Sequence, residues 1–123
     1  MADINTLAQQ FIKYYYETFD SGRSQLAPLY RPTSMLSFEG NPTMGDAAIV
    51  EKLAGLPLDG LRHNISTQDA QPLENNGILI TVTGQLLAPG ETNPQFFCQT
   101  FHLKPDGGSY FIQNDIFRLV YGL

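Results

Sequence analysis

Few side chains in this sequence are suited to proton transfer or ligand binding. Tyr14 and Tyr15 fall in an aromatic run near the N-terminus, Asp69 and Asp115 lie in strand-like segments, and His63 and His102 are the only histidines. A tyrosine and a carboxyl facing one cavity would supply an acid and a base. Taken singly, the tyrosines suit a core in which each hydroxyl finds a partner, and a strand-start histidine such as His63 suits packing or the rim of a site. Gly84 sits inside a strand pattern and Gly107-Gly108 in a turn, so no Gly-rich phosphate loop is present. With the single Cys98 and two histidines far apart there is no ligand spacing for zinc, and neither a metal nor a cofactor is expected. The stretch "SMLSFEG", Ser34 to Gly40, sets the aromatic Phe38 directly before the carboxylate Glu39. That pairing fits either a strand end or the lip of a site. Ile4 and Leu61, apolar residues flanking helical segments, suit exposed contact or ordinary packing, and Glu39, Asp59 and Glu91 form an acidic set.

A chain of 123 residues fits one domain spanning 1–123 and buries enough surface to fold without disulfides or metal. Cys98 leaves no intrachain disulfide, which points to an intracellular setting. The first residues lack the basic flank and apolar run of a signal peptide, and no segment is long and apolar enough for membrane insertion. Seven basic against twelve acidic residues give a net charge of −5. That balance disfavours nucleic acid, whose binding rests on phosphate neutralisation, and favours a basic protein surface as partner.

Leu7, Phe11, Tyr14, Tyr15, Thr18 and Phe19 recur at helical spacing, with Asp3 or Asn5 as N-cap, and predict a first helix over 4–19. Leu26, Leu29 and Tyr30 around Pro28 predict a short helix or turn over 24–30. Residues 34–39 take strand period, closed by the turn chemistry of Gly40-Asn41-Pro42. A third helical segment carries Ala47, Ala48, Ile49, Val50 and Leu53, with Asp46 near its start, Lys52 near its end and Pro57 beyond it. Four long strands follow, over 62–71, 77–88, 96–104 and 110–121, separated by loops mostly too short for crossover helices. Helices first and strands last predict an α+β fold with helices packed on one side of a mainly antiparallel sheet.

The last strand is apolar on both alternating sets: Tyr110, Ile112, Ile116 and Val120 on one, Phe111, Phe117, Leu119 and Tyr121 on the other. Phe96 and Phe97 repeat this on the preceding strand. A solvated sheet face does not read this way, and the helices can cover only one face. A second copy of the chain is the simplest cover, and a homodimer is expected.

The segments "FIKYYYETFD" (11–20), "IVEKLAGLP" (49–57), "DAQP" (69–72), and "NDIFRL" (114–119) following "FHL" (101–103) occur in an order and spacing that resemble the nuclear transport factor 2 family nearly end to end. The resemblance implies a cone-like α+β fold with a strongly bent antiparallel sheet wrapped by N-terminal helices and dimerising through that sheet. It implies a carrier, not an enzyme, that binds Ran-GDP and FG-repeat nucleoporins and returns Ran to the nucleus. Such a carrier moves between cytoplasm and nucleus and is concentrated at the nuclear pore complex. The alternative is a small-molecule isomerase or dehydratase of the same cone-shaped fold, for which Asp115 facing Tyr14 deep in the cavity would be the mark.

Carried over by position, Phe38 lines a Ran-binding cavity that receives an aromatic side chain, and Glu39 pairs with a basic Ran residue at its edge. His63 belongs to the rim, and Leu56, Leu61 and Phe117 surround the cavity. Ile116 and Thr81 fall at the dimer interface. The sequence departs from the family pattern at two places. The hairpin after "GQLL" reads Ala88-Pro89-Gly90-Glu91, leaving Glu91 as its only acid where the family often carries a pair, and Ile4 replaces the aromatic that typically meets nucleoporin phenylalanines.

Overall fold

The structure is a computed structural model and describes residues 3–121. Helix α1 spans Ile4–Ser21 and starts at Asp3, whose carboxylate accepts from the backbone N–H of Thr6 at 3.3 Å. Its buried stripe is Ala8, Ile12, Tyr15 and Tyr16, a narrow band at spacings of four, seven and eight. Tyr14 falls outside the band and is 52% exposed, so it is not part of the core-facing aromatic set. A 3-10 segment, Arg23–Leu29, buries Leu26 and leads into β1, Tyr30–Phe38.

Where turn chemistry alone was expected, a short strand β2, Asn41–Met44, folds back on β1. Glu39 and Gly40 make the two-residue turn between them, both with positive φ, +52° and +85°. Such turns match the twist of a hairpin and favour glycine, which accounts for Gly40. Helix α2, Asp46–Ala54, buries Ile49 and Leu53 and carries Asp46 in its first turn and Lys52 in its last, as the helix dipole favours.

Strands β3 (Arg62–Pro72), β4 (Ile78–Leu87), β5 (Gln95–Asp106) and β6 (Ser109–Val120) complete one six-stranded sheet of order β2-β1-β6-β5-β4-β3. Every neighbouring pair is antiparallel except β1 and β6, which run parallel. The sheet curls where its register slips. In β3 the slip lies between Ile65 and Thr67, opposite Gly84 of β4. A Cβ at Gly84 would stand 2.5 Å from the carbonyl oxygen of Asn64 and 2.9 Å from the ring of Phe97, so only glycine lets the strands approach there.

A second slip, in β6, reassigns its faces. His102 pairs with Asn114 but Leu103 pairs with Ile112, so Gln113 is an inserted residue. Strict alternation would put Ile112 and Ile116 together. The bulge instead turns Ile112, Asp115 and Phe117 inward and leaves Ile116 and Val120 outside. The helices cover the inner face. The outer face carries Phe96, Ile116 and Val120, each about half exposed, and the cross-strand row Ile116, Thr100, Thr81 brings the two expected interface residues onto one line.

Candidate functional site

Between α1, α2 and the inner face of the curled sheet lies a cavity of about 220 Å³ whose wall is almost entirely apolar. Each element contributes for a local reason. Phe38 ends β1 and stacks on Phe117 of the parallel strand β6, the rings 4.8 Å apart and tilted by 4°. Phe117 in turn stacks on Phe97 of β5 at 5.6 Å. Leu53 comes from the buried stripe of α2, and the loop after that helix lays Leu56, Leu58 and Leu61 over the opening. Phe38, Leu56, Leu61, His63 and Phe117 therefore all stand on one wall.

Neither of the two acids does. Glu39 sits just beyond Phe38 in the hairpin turn, where its carboxylate accepts from the backbone N–H of Leu119 and its own N–H donates to the carbonyl of Phe117 at 3.1 Å. Phe117 and Leu119 both line the cavity, so the charge is pinned at its edge. Glu91 is exposed on the β4–β5 connection. It borders a smaller recess with Leu61, Leu86 and Gln95, which also line the main cavity. Asp59, the third acid, pairs instead with Arg23 at 3.1 Å.

His63 is fastened by a residue with no evident link to it in the sequence. Its Nδ1 lies 2.6 Å from Asp20 Oδ1, and its backbone N–H donates to Asp20 Oδ2 at 3.0 Å. The ring packs among Tyr16, Phe19 and Phe97, with centroids 4.7, 4.9 and 5.4 Å away. The sequence signals for Asp20 were its place beside Phe19 at the end of the helical run and at the close of the segment "FIKYYYETFD".

Behind the cavity floor is a buried polar cluster centred on the fully enclosed Asp115. Asp115 Oδ2 accepts from the hydroxyls of Tyr30 at 2.8 Å and Tyr15 at 3.3 Å, and Oδ1 accepts from the Gln99 amide at 2.7 Å. Tyr16 donates to Gln99 Oε1 at 2.7 Å. Burial pushes the Asp115 carboxyl up to about 6, against the opposing pull of the donors from Gln99, Tyr30 and Tyr15. Burial, with the nearby Asp115 charge, raises Tyr15 and Tyr30 well above the usual phenol range, so both stay protonated donors. Tyr15 and Gln99 face the cavity; Asp115 is not on its wall. The Asp115–Tyr14 pairing that would mark an isomerase or dehydratase does not form: Tyr14 points outward, and the hydroxyls on Asp115 are those of Tyr15 and Tyr30. Asp69 lies opposite Thr81 on the outer face, away from all of these groups, and is exposed.

Ile4 is half-buried at another part of the molecule, in a shallow groove with Leu7, Leu73 and Tyr110, none of which touches the cavity. Among the described residues no cluster of histidine, cysteine or carboxylate side chains has the makings of a metal site, and no helix is long and apolar enough to cross a membrane.

The domain family described as "Nuclear transport factor 2 (NTF2) domain" matches residues 7–119, which include the whole cavity wall. The chain belongs to the nuclear transport factor 2 family. It is 55% identical to nuclear transport factor 2 of Emericella nidulans over 123 residues, covering 98% of each chain. It is also 55% identical to the Saccharomyces cerevisiae protein of that name over 120 residues, covering 97% of this chain and 96% of the relative. Among solved structures, nuclear transport factor 2 from Cryptosporidium parvum superposes with a TM-score of 0.90 at 38% identity, covering 95% of this chain and 94% of that one. The bent sheet wrapped by N-terminal helices is thus the cone-like fold of the family, and the named relatives are transport factors.

Proposed function

We propose that the chain is a nuclear transport carrier, not an enzyme: a single-domain protein that binds Ran-GDP through the apolar cavity and FG-repeat nucleoporins elsewhere, and returns Ran to the nucleus. The observation that carries this reading is the cavity itself, an apolar, aromatic-walled pocket with acids at its edge. An aromatic side chain of the partner enters between Phe38, Phe117 and the loop leucines, and Glu39 and Glu91 meet basic groups around it. His63 contributes a buried polar edge. The nucleoporin contact is assigned to the groove at Ile4, where a weak apolar site suits rapid passage.

The carrier is proposed to be a homodimer joined through the outer sheet face, with Ile116 and Thr81 on the row that meets the partner copy. Its place is the cytoplasm and nucleus, concentrated at the nuclear pore complex. An isomerase or dehydratase of the same fold would need the Asp115 carboxyl within reach of a substrate. Here both of its oxygens are engaged and it is walled off by Tyr15 and Gln99.

Titration of the purified chain with Ran loaded with GDP or with GTP tests the proposal. Selective binding of the GDP form is expected. No binding to that form, or equal binding to both, would overturn it.

A further inference from the structure

The polar groups on the cavity wall are Tyr15, Gln95, Gln99 and His63. Two are spent. The Tyr15 hydroxyl donates to Asp115, and Gln99 donates to Asp115 and accepts from Tyr16. Gln95 is exposed at the mouth. His63 is different: its side chain is only 3% exposed, Nδ1 is taken by Asp20, and Nε2, on the far edge of the ring, has no hydrogen-bond partner among the described residues. Turning the ring over would forfeit the bond to Asp20, whose other oxygen is held by the backbone N–H of the same residue. Asp20 also sits in the last turn of α1, where the helix dipole disfavours a carboxylate, so the contact that accounts for it there is tertiary.

We infer that the cavity binds a small molecule consisting of one aromatic ring with one hydroxyl group, with His63 Nε2 as its hydrogen-bond partner and Asp20 as the residue that positions the imidazole. Size selects one ring. An apolar cavity of ~150 Å³ accommodates benzene, and about 220 Å³ adds room for small substituents. The stacked Phe38 and Phe117 favour an aromatic occupant over an aliphatic one. Polarity selects a single hydroxyl. It is donor and acceptor at once, so it satisfies Nε2 whether or not that nitrogen carries a proton. A charged group would be desolvated without a counter-ion, and a second polar group set deep in the cavity, away from Gln95 at the mouth, would go unpaired. Where a partner's aromatic side chain enters the same cavity, ligand and partner exclude one another; that consequence rests on the carrier reading, whereas ligand binding itself does not.

The test compares p-cresol with p-xylene, which differ by hydroxyl against methyl at nearly constant shape, by NMR titration of the full chain. The expected result is that both shift amides around Leu61, Phe117 and Leu119. p-Cresol binds roughly five- to tenfold more tightly, the range expected of one hydrogen bond, and only p-cresol moves the His63 Nε2 resonance. In His63→Leu the preference disappears while p-xylene still binds, and in Asp20→Asn it shrinks. Equal binding of the two by the natural chain, shifts confined to other surfaces, or no binding of either overturns the inference, and none of these needs a variant that folds. Because no Ran is present, failure here leaves the carrier reading standing, and failure of Ran-GDP binding leaves this result standing.

Discussion

Replacing Asp115 by Asn should remove a specific pH dependence from the stability of the fold. Asp115 has no solvent exposure, and its carboxyl titrates near 6 in the folded chain against an ordinary value of 3.8. Between those two values the folded protein holds a proton that the unfolded chain has released. The group therefore favours folding most at low pH, and that contribution fades as the pH rises through 6. The shift of 6 minus 3.8, or 2.2, corresponds to about 3 kcal/mol over the full range, of which about 2 kcal/mol falls between about pH 4.5 and about pH 7.5. Asn is nearly isosteric and does not titrate. Its amide can keep the cluster bonded if the Gln99 amide turns over and Tyr16 becomes the acceptor. Urea unfolding of both proteins at matched concentration should show the natural chain losing about 2 kcal/mol relative to Asp115→Asn across that interval. The other carboxylates, common to both proteins, cancel in the difference. A stability difference that stays flat across the interval would refute the reasoning, since it would mean that the native cluster does not retain the proton.

Three further outcomes follow from named contacts. Glu39→Lys should weaken Ran-GDP binding by about 2 kcal/mol or more, roughly thirtyfold, by reversing the charge at the cavity edge; Glu39→Gln, which keeps an acceptor for the Leu119 N–H, serves as the stability control in the same calorimetric titration. Ile116→Asp, at a position 49% exposed on the outer face, should shift sedimentation from dimer to monomer with little loss of helical circular dichroism. Gly84→Ala should destabilise the chain by roughly 1–3 kcal/mol in urea, since its Cβ would meet the Asn64 carbonyl at 2.5 Å; a change under about 0.5 kcal/mol would show that the sheet relaxes there without cost.

The elements most visible in the sequence were those whose burial follows a local period. The span of α1, the dipole-matched α2 and the long strands β3 to β6 lie within a few residues of expectation, whereas the buried stripe of α1 shares only Tyr15 with the expected one. β2 escaped because four residues containing a proline, lying just past a Gly turn, carry no alternation of their own; only pairing with β1 makes them a strand. The faces of β6 escaped because one inserted residue, Gln113, inverts the alternation beyond it. Tyr14 and Tyr16 flank Tyr15 in a run of three tyrosines, and composition does not say which two turn inward. That choice, settled by packing against Phe101 and Phe97, puts Tyr15 beside Tyr30 on the Asp115 carboxylate and leaves Tyr14 outside.

By itself the sequence determined the α+β class, the helical and strand periods, the acidic balance and, through family-specific segments, that Phe38, Leu56, Leu61, His63 and Phe117 share one cavity. All of these are local or recorded in order along the chain. The tertiary structure alone decided what depends on residues far apart: that Asp20 clamps His63 across 43 positions, that Tyr15 and Asp115 meet across 100, and that Glu39 is tied to the strand end bearing Leu119. The physical reason is that a buried polar group must find its partner wherever the curled sheet brings one, and spacing along the chain carries no record of that curl.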